Sequence, residues 1–382
     1  MYDAIVIGAR CAGSPTAMLL ARRGHRVLVL DRAAFPSDTL STHFIQLPGM
    51  ARLKRWGLLE TVMSTGCPPV TSGVLDIDGQ SMEAEFENAA GIDALAAPRR
   101  TVLDKILVDA AVAAGAELRE GVYIDSLIQE DGRVTGVRGH TADGEFSESA
   151  RLVVGADGRN SIVAKEVGAE AETFVPALGC GYYAYYSGVE CTQAELYLYE
   201  GCFAAAFPTN EGLTTVPLGL PPSKAKTIKQ NREEQLLSAA DELGTLGERL
   251  RAGRLEGKVV AMADVPNYLR TAQGPGWALV GDAAYNKDPT PADGITDAFR
   301  GADLLAEEAH RWLSGEIPES EGLARYQERH HQAARPMLES TLTMSSFDKT
   351  PLERATGFLE LTALHEQELG TILPDLEAIE TV

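Results

Sequence analysis

Tyr2-Asp3-Ala4-Ile5-Val6-Ile7-Gly8-Ala9-Arg10-Cys11-Ala12-Gly13 opens the chain, with Ala17 to Arg23 and Val27 to Asp31 close behind. The run reads as strand, glycine turn, helix and second strand. Ile5-Val6-Ile7 is a short apolar strand of the kind buried on both faces. Gly8 suits the sharp turn that leaves it, and Gly13 lets the following helix pack closely on the sheet. A helix N-terminus in that position faces a pyrophosphate, and Asp31 ends the second strand where an acid accepts a hydrogen bond from an adenosine ribose hydroxyl. The stretch is therefore an adenine-dinucleotide cradle, with Gly8, Gly13, Asp31 and the adjoining Arg32 as candidate contacts. It departs from G-x-G-x-x-G at one position, where Arg10 replaces the glycine that normally lets a phosphate approach the backbone.

A chain of 382 residues exceeds the usual single core, so two intimately packed domains or one large α/β domain with an inserted sheet is expected. Hydrophobic residues at 45% and charged residues at 23% exclude a disordered chain. No apolar stretch approaches the ~20 residues that span a bilayer, so no integral membrane segment is expected. A strand beginning at residue 2 leaves no room for a signal peptide, which predicts a cytoplasmic protein. Five scattered cysteines without C-x-x-C spacing argue against disulfides and against a zinc site, so no metal is expected. The formal charge of −21 argues against nucleic acid and favours a neutral or cationic small molecule as substrate.

Further along, apolar spacing from 49 to 63 predicts two short helices broken at Gly57. Val70 to Phe86 reads as a hairpin turning at Asp78-Gly79, and Pro98-Arg99-Arg100-Thr101 opens a helix through Ala114. Strands are predicted at 117–119, 122–129, 134–139, 145–150 and 152–156. A second, larger antiparallel sheet follows between Phe174 and Leu220, rich in tyrosine. On its strand Tyr183 and Tyr185 share one face, and Tyr182 and Tyr186 share the other. Helices are predicted near 228–251, at 295–313 and 323–334, after Pro336, and at 352–369.

Two later motifs repeat the strand-to-helix pattern: Val153-Val154-Gly155-Ala156-Asp157-Gly158-Arg159, and Leu279-Val280-Gly281-Asp282-Ala283-Ala284 with Asp288-Pro289-Thr290-Pro291-Ala292-Asp293-Gly294 after it. In this order the three motifs resemble the FAD-dependent monooxygenase superfamily, which includes single-component aromatic hydroxylases and has flavin halogenases and geranylgeranyl reductases as relatives. The resemblance covers the chain to about Leu313. It implies an α/β fold: an FAD-binding Rossmann-like domain (1–68, 99–173 and 268–316), an inserted antiparallel-sheet substrate domain (69–98 and 174–267), and a C-terminal helical segment (317–382).

By the same resemblance the first motif holds the ADP half of FAD, and Asp157 and Gly158 contact FAD and the pyrophosphate of a nicotinamide cofactor. Gly281 and Asp282 serve the ribityl and pyrophosphate region, and Arg100, with Arg99 competing, is the family's helix-head arginine. The helix after Gly294 presents free amides and the positive end of its dipole to the flavin's pyrimidine edge. Pro289 and Pro291 either line the space before the ring or form a rigid turn without a ligand. Thr42, His43 and Gln46 lie on the loop that in this family runs toward the flavin. His43, with an unperturbed pKa near 6.5, is either a proton-transfer group or a structural hydrogen-bonder. Tyr183 and Tyr185 either line the substrate pocket or pack the core. Arg10 either neutralises pyrophosphate or pairs with a surface acid.

The implied activity is oxygenation of a small aromatic or polycyclic substrate by molecular oxygen through a flavin hydroperoxide. No second dinucleotide cradle exists, so NADPH or NADH binds transiently as donor or a separate flavin reductase supplies electrons. The strand Phe203-Ala204-Ala205-Ala206-Phe207-Pro208 lacks the Trp-x-Trp-x-Ile-Pro of halogenases, which counts against halogenation. The alternatives are a reductase or dehydrogenase acting on an alkene or C–N bond, and a flavin-free binding protein on the same scaffold.

Overall fold

The computed structural model describes residues 1–380, except 87 and 90 and the side chains of 377–380; positions 381 and 382 of the predicted C-terminal segment lie outside it. In the first sheet β1 (Tyr2–Ile7) pairs in parallel with β2 (Val27–Leu30) and β8 (Gly144–Gly155). β2 continues to β5 (Glu117–Arg119), and β8 to β17 (Trp277–Leu279) and β16 (Gln273–Gly274). Ile5, Val6, Leu28 and Val153 are closed to solvent, as central strands covered on both faces must be. β6 (Tyr123–Glu130) and β7 (Arg133–Thr141) form an antiparallel layer joined to the sheet through β8.

Sequence periodicity divides β8 in two, and the structure corrects this to one strand of 12 residues. Its first half pairs with β7, alternates in exposure and reads as a half-buried strand. Its second half pairs with β1, is buried apart from Arg151, and reads as an apolar run from Leu152 on.

The second sheet has seven strands in the order β14 (Arg254–Met262), β10 (Cys180–Ser187), β13 (Leu213–Leu220), β12 (Cys202–Thr209), β11 (Ala194–Tyr199), β3 (Ser72–Ile77) and β4 (Gln80–Glu85). It is antiparallel except where β3 and β11 run parallel. Tyr182 and Tyr186 pack beneath α6 (Arg232–Ala240) and α7 (Leu246–Ala252), while Tyr183 and Tyr185 face the other way, onto His43. A small third sheet of β9 (Ala171–Val175), β15 (Asn267–Arg270) and β18 (Tyr285–Asn286) was not legible beforehand, because Asn-Tyr-Leu-Arg and Tyr-Asn carry no alternation.

α1 (Gly13–Arg22), α2 (Leu47–Arg55), α3 (Leu59–Met63), α4 (Arg100–Ala113) and α5 (Ile162–Glu166) accompany the first sheet. Three long helices end the chain: α8 (Gly294–Leu313), α9 (Glu319–Ser345) and α10 (Pro351–Glu380). α9 runs straight through Pro336, where two helices were expected. An interior proline costs about 3 kcal/mol, and here buried Tyr326, Ala334, Met337 and Leu338 hold the helix against its neighbours. α10 continues past the expected end at Leu369 because Leu369, Ile372 and Leu376 are buried on the side of α2. Among the described residues no helix is long and apolar enough to cross a membrane.

Candidate functional site

The three glycine motifs interlock at the carboxyl ends of β1, β8 and β17. Gly8 has φ +99°, and a Cβ there would stand 2.4 Å from the Ala156 carbonyl oxygen. A Cβ on Gly13 would stand 1.7 Å from the Gly8 oxygen, and one on Gly281 (φ +62°) 2.7 Å from Ala12 Cβ. The crevice of an open α/β sheet lies at such strand ends. Asp31 binds the first turn from below, its Oδ2 accepting from Ala9 N–H (2.7 Å) and its Oδ1 from Ala33 N–H (2.7 Å). Each oxygen keeps capacity for another donor; Arg32 beside it is exposed.

The second and third motifs leave polar atoms open. Asp157 Oδ2 accepts from Ile162 N–H at the head of α5 (2.7 Å), but its Oδ1 is buried without a partner, and burial raises the carboxyl's pKa. Gly158 (φ +77°) has open space where a Cβ would point. Asp282 keeps its side chain open to solvent inside the crevice, within the field of Arg100.

Arginines from the turn and from α4 converge on Asp104, which is wholly buried. Arg10 Nη1 lies 2.6 Å from its Oδ2 and Arg100 Nε 3.0 Å from its Oδ1. Burial alone would lower the Arg100 pKa, but Cys11, Asp104 and Asp282 more than offset it. Arg10 therefore pairs with an acid, and a buried one, where the sequence left pyrophosphate and a surface acid as the alternatives. Arg99 turns elsewhere, to Asp38 Oδ2 (2.8 Å) and over the Tyr185 ring (4.1 Å).

His43, Tyr183 and Tyr185, separated by up to 142 positions, meet in one cluster. His43 is fully buried with φ +65°, its Nε2 2.5 Å from the Tyr185 hydroxyl and its ring stacked on Tyr185. Tyr183 stands edge-on to both rings. Burial, then the fields of Arg100 and Arg99, push the His43 pKa down to about 3, so the expectation of an unperturbed value near 6.5 is corrected. Burial raises both phenols. One hydrogen bond joins Nε2 to the Tyr185 hydroxyl, while His43 Nδ1 is buried without a partner, as is the Tyr183 hydroxyl.

Beside this cluster a pocket separates the second sheet from the loop before α8. Gly181, Ala205, Phe207 and Pro217 form the sheet wall, and Thr42, Pro289 and Ala292 are opposite. The loop is held at its start and its middle: the Asp288 amide donates to Asn267 Oδ1 (2.7 Å), and Gln46 Nε2–H donates to the Pro291 oxygen (3.1 Å). A Cβ on Gly294, at the head of α8, would meet nothing within 4 Å. Sequence reasoning missed Asp104, although Arg100-x-x-x-Asp104 is an i,i+4 pair on a helix.

The crevice fits a dinucleotide flavin. Glycines clear the backbone where a side chain would collide, one carboxylate oxygen is buried without a donor, and helix N-termini stand at the strand ends. Comparison with known proteins agrees. Over 398 aligned residues the chain is 27% identical to digeranylgeranylglycerophospholipid reductase 1 of Methanopyrus kandleri, covering 98% of this chain and 99% of that one. The structure is similar to the myxobacterial chondrochloren halogenase CndH (TM-score 0.82, 22% identity, 97% of this chain and 95% of that one). It is also similar to PqsL, a probable FAD-dependent monooxygenase from Pseudomonas aeruginosa (TM-score 0.79, 18% identity, 94% and 99%). At these identities the structural likenesses establish the fold. The model of the FAD binding domain family matches residues 1–341, and the chain belongs to that family, within the FAD-dependent oxidoreductase superfamily.

Proposed function

We propose that this protein is an FAD-dependent monooxygenase acting on a small aromatic or polycyclic substrate, with NAD(P)H as electron donor and molecular oxygen as co-substrate. The observation that carries the reading is the largely apolar lining between the second sheet and the Asp288–Gly294 loop, with the His43 cluster beside it; the cavity there is about 30 Å³, so the loop must shift for a substrate ring to enter. FAD, when bound, supplies two-electron transfer and the activation of oxygen. Gly8, Gly13 and Gly281 let the three turns close on one another to form the cradle for its phosphates and ribityl chain; Asp31, Asp157, Arg100 and Asp282 are the side chains that would hold it. Phe207, Pro217 and Ala205 exclude water from the substrate. Neutral His43 is oriented by its hydrogen bond to Tyr185, and Tyr183 offers a hydroxyl donor from the same face.

The test is mass. The FAD-loaded protein, given NADPH or NADH and a small-molecule extract of its host under ¹⁸O₂, is expected to yield a product carrying one labelled oxygen. A substrate consumed without label overturns oxygenation and supports a reductase or dehydrogenase acting on an alkene or C–N bond. The end-to-end similarity to a reductase favours that second reading. Anaerobic mixing separates the electron sources: bleaching of the flavin by NADPH or NADH alone supports direct reduction, and its absence points to a separate flavin reductase.

A further inference from the structure

Arg10 occupies the position at which the dinucleotide pattern has glycine, yet its guanidinium is not left free for a phosphate. Nη1 donates to Asp104 Oδ2 (2.6 Å) and the Ser37 carbonyl oxygen (3.2 Å). Nη2 donates to Ser37 Oγ (3.0 Å) and the Asp38 carbonyl oxygen (3.4 Å). The Phe35 ring lies 5.5 Å from Cζ. The side chain thus crosses from the turn after β1 to the loop after β2, with its counter-charge buried in α4. A dinucleotide whose ribose reaches Asp31 must lie between that turn and that loop, so the bridge spans the way in. The same loop is fastened again by Arg99 to Asp38, and its far end carries Thr42 and His43.

We propose that Arg10 is a clasp: a positioning residue that closes the 32–43 loop over the dinucleotide and sets the rate of FAD exchange. The proposal rests on the FAD assignment and goes beyond it. A clasp closed with and without ligand slows uptake and release by the same factor, the fraction of time it is open, and leaves their ratio unchanged. A direct phosphate contact acts differently, because its loss accelerates release alone.

The experiment measures FAD uptake and release by flavin fluorescence in the full chain, together with hydrogen exchange of residues 32–43. Arg10→Gly restores the patterned residue and leaves Asp104 paired with Arg100. Arg10→Lys keeps one charge for Asp104 but has no planar fork to bind Ser37 and Asp38. Both variants are expected to speed uptake and release by about tenfold, with affinity held within about threefold, as expected for lost charge-assisted hydrogen bonds that act equally on both steps. Exchange in the loop rises in parallel. Faster release with unchanged uptake overturns the clasp in favour of a phosphate contact. Lysine behaving like wild type overturns it in favour of the Asp104 pair alone, and unchanged rates in both variants overturn it outright. A wild-type chain that takes up no FAD overturns the cofactor assignment along with the clasp, a result distinct from normal FAD binding with unaltered rates.

Discussion

Two regions that meet at the head of α8 follow opposite rules. In the crevice, Asp157 Oδ1, His43 Nδ1 and the Tyr183 hydroxyl are buried without partners, and Asp282 stands open. In the ionic belt that ties α2 and α10 to α8, charges are matched within the protein. Lys287 pairs with Asp293 (2.7 Å) and Asp297 (2.9 Å), and Arg300 with Asp297 (2.5 Å) and Glu368 (2.6 Å). Arg52 joins Glu368 (2.6 Å) to Asp303 (3.1 Å), Arg55 reaches Asp303 and Asp375, and His365 closes on Asp293 (3.1 Å). Burial would raise Glu368, but Arg300 and Arg52 hold it down to about 2. Lys287 and His365 likewise keep Asp293 below the usual carboxylate range against its burial. The belt closes its own electrostatics, as a device for holding helices must. The crevice leaves its own incomplete, which is what a site completed by a ligand requires.

Breaking the belt has the largest expected effect. Arg300→Met leaves Glu368 with Arg52 alone and Asp297 with Lys287 alone; removing one partner from a buried ionic group costs up to about 3–5 kcal/mol. Urea unfolding should show that loss, with the FAD affinity of the folded protein unchanged. A loss below about 1 kcal/mol, the range of a surface pair, would mean that the belt is decorative.

The crevice breaks at the backbone instead. Gly13→Ala places a methyl group against the Gly8 carbonyl and forces the turn to move, a strain of about 1–3 kcal/mol. FAD uptake, read from flavin absorbance, should be lost with it. Gly370→Ala is the contrasting substitution, because a Cβ there, on the exposed side of α10, meets nothing within 4 Å; uptake should persist. Equal behaviour of the two variants would remove the claim that the interlocked glycines shape the site.

How much of this was readable beforehand depends on the distance over which each feature is decided. β1 and β2 were legible nearly to the residue, since Ile5-Val6-Ile7, Gly8 and Asp31 carry their reasons locally, whereas α1 begins at Gly13, four residues before the expected Ala17. Each of the three motifs was visible, but not that Gly8 rests on Ala156 and Gly281 on Ala12, because contact between loops has no sequence period. β8 was misread because two packing environments share one strand, and α9 because tertiary packing overrides Pro336. The belt was invisible: Arg52 and Glu368 stand 316 positions apart. His43, Tyr183 and Tyr185 were recognisable by residue type and strand face. The depressed His43 pKa was not, since it comes from burial and from arginines on another helix.

That depressed pKa predicts an acid-sensitive fold. In the unfolded chain His43 titrates near 6.5 and in the native state at about 3. Between those values the unfolded state holds a proton that the native state refuses, so stability is complete above about pH 6.5 and falls as pH drops toward 3. The slope is about 1.4 kcal/mol per pH unit per histidine, or about 2 kcal/mol lost at pH 5. His330 on α9, also pushed down to about 3 by burial and by His331, adds an equal slope outside the crevice. His43→Gln and His330→Gln should each flatten the dependence seen in unfolding curves between pH 7 and 5, and by similar amounts. A slope that neither variant changes would show that both histidines protonate freely in the native state.

The smallest effect separates the two faces of β10. Tyr185→Phe deletes the hydroxyl bound to His43 Nε2 and leaves that nitrogen buried and unpaired, a loss of about 1–2 kcal/mol. The phenyl ring keeps the stacking with Arg99, so the change isolates the hydrogen bond. Tyr186→Phe, one residue along and on the opposite face, deletes a buried hydroxyl that has no partner. Removing an unsatisfied polar group relieves a desolvation penalty, so that variant should be as stable as wild type or more so. The sign of the difference carries the argument. If Tyr185→Phe is neutral, the hydroxyl adds nothing to the placement of His43, and the cluster is packing alone. If Tyr185→Phe destabilises while Tyr186→Phe does not, the strand has one face built for contacts in the crevice and one built only to fill the core beneath α6 and α7.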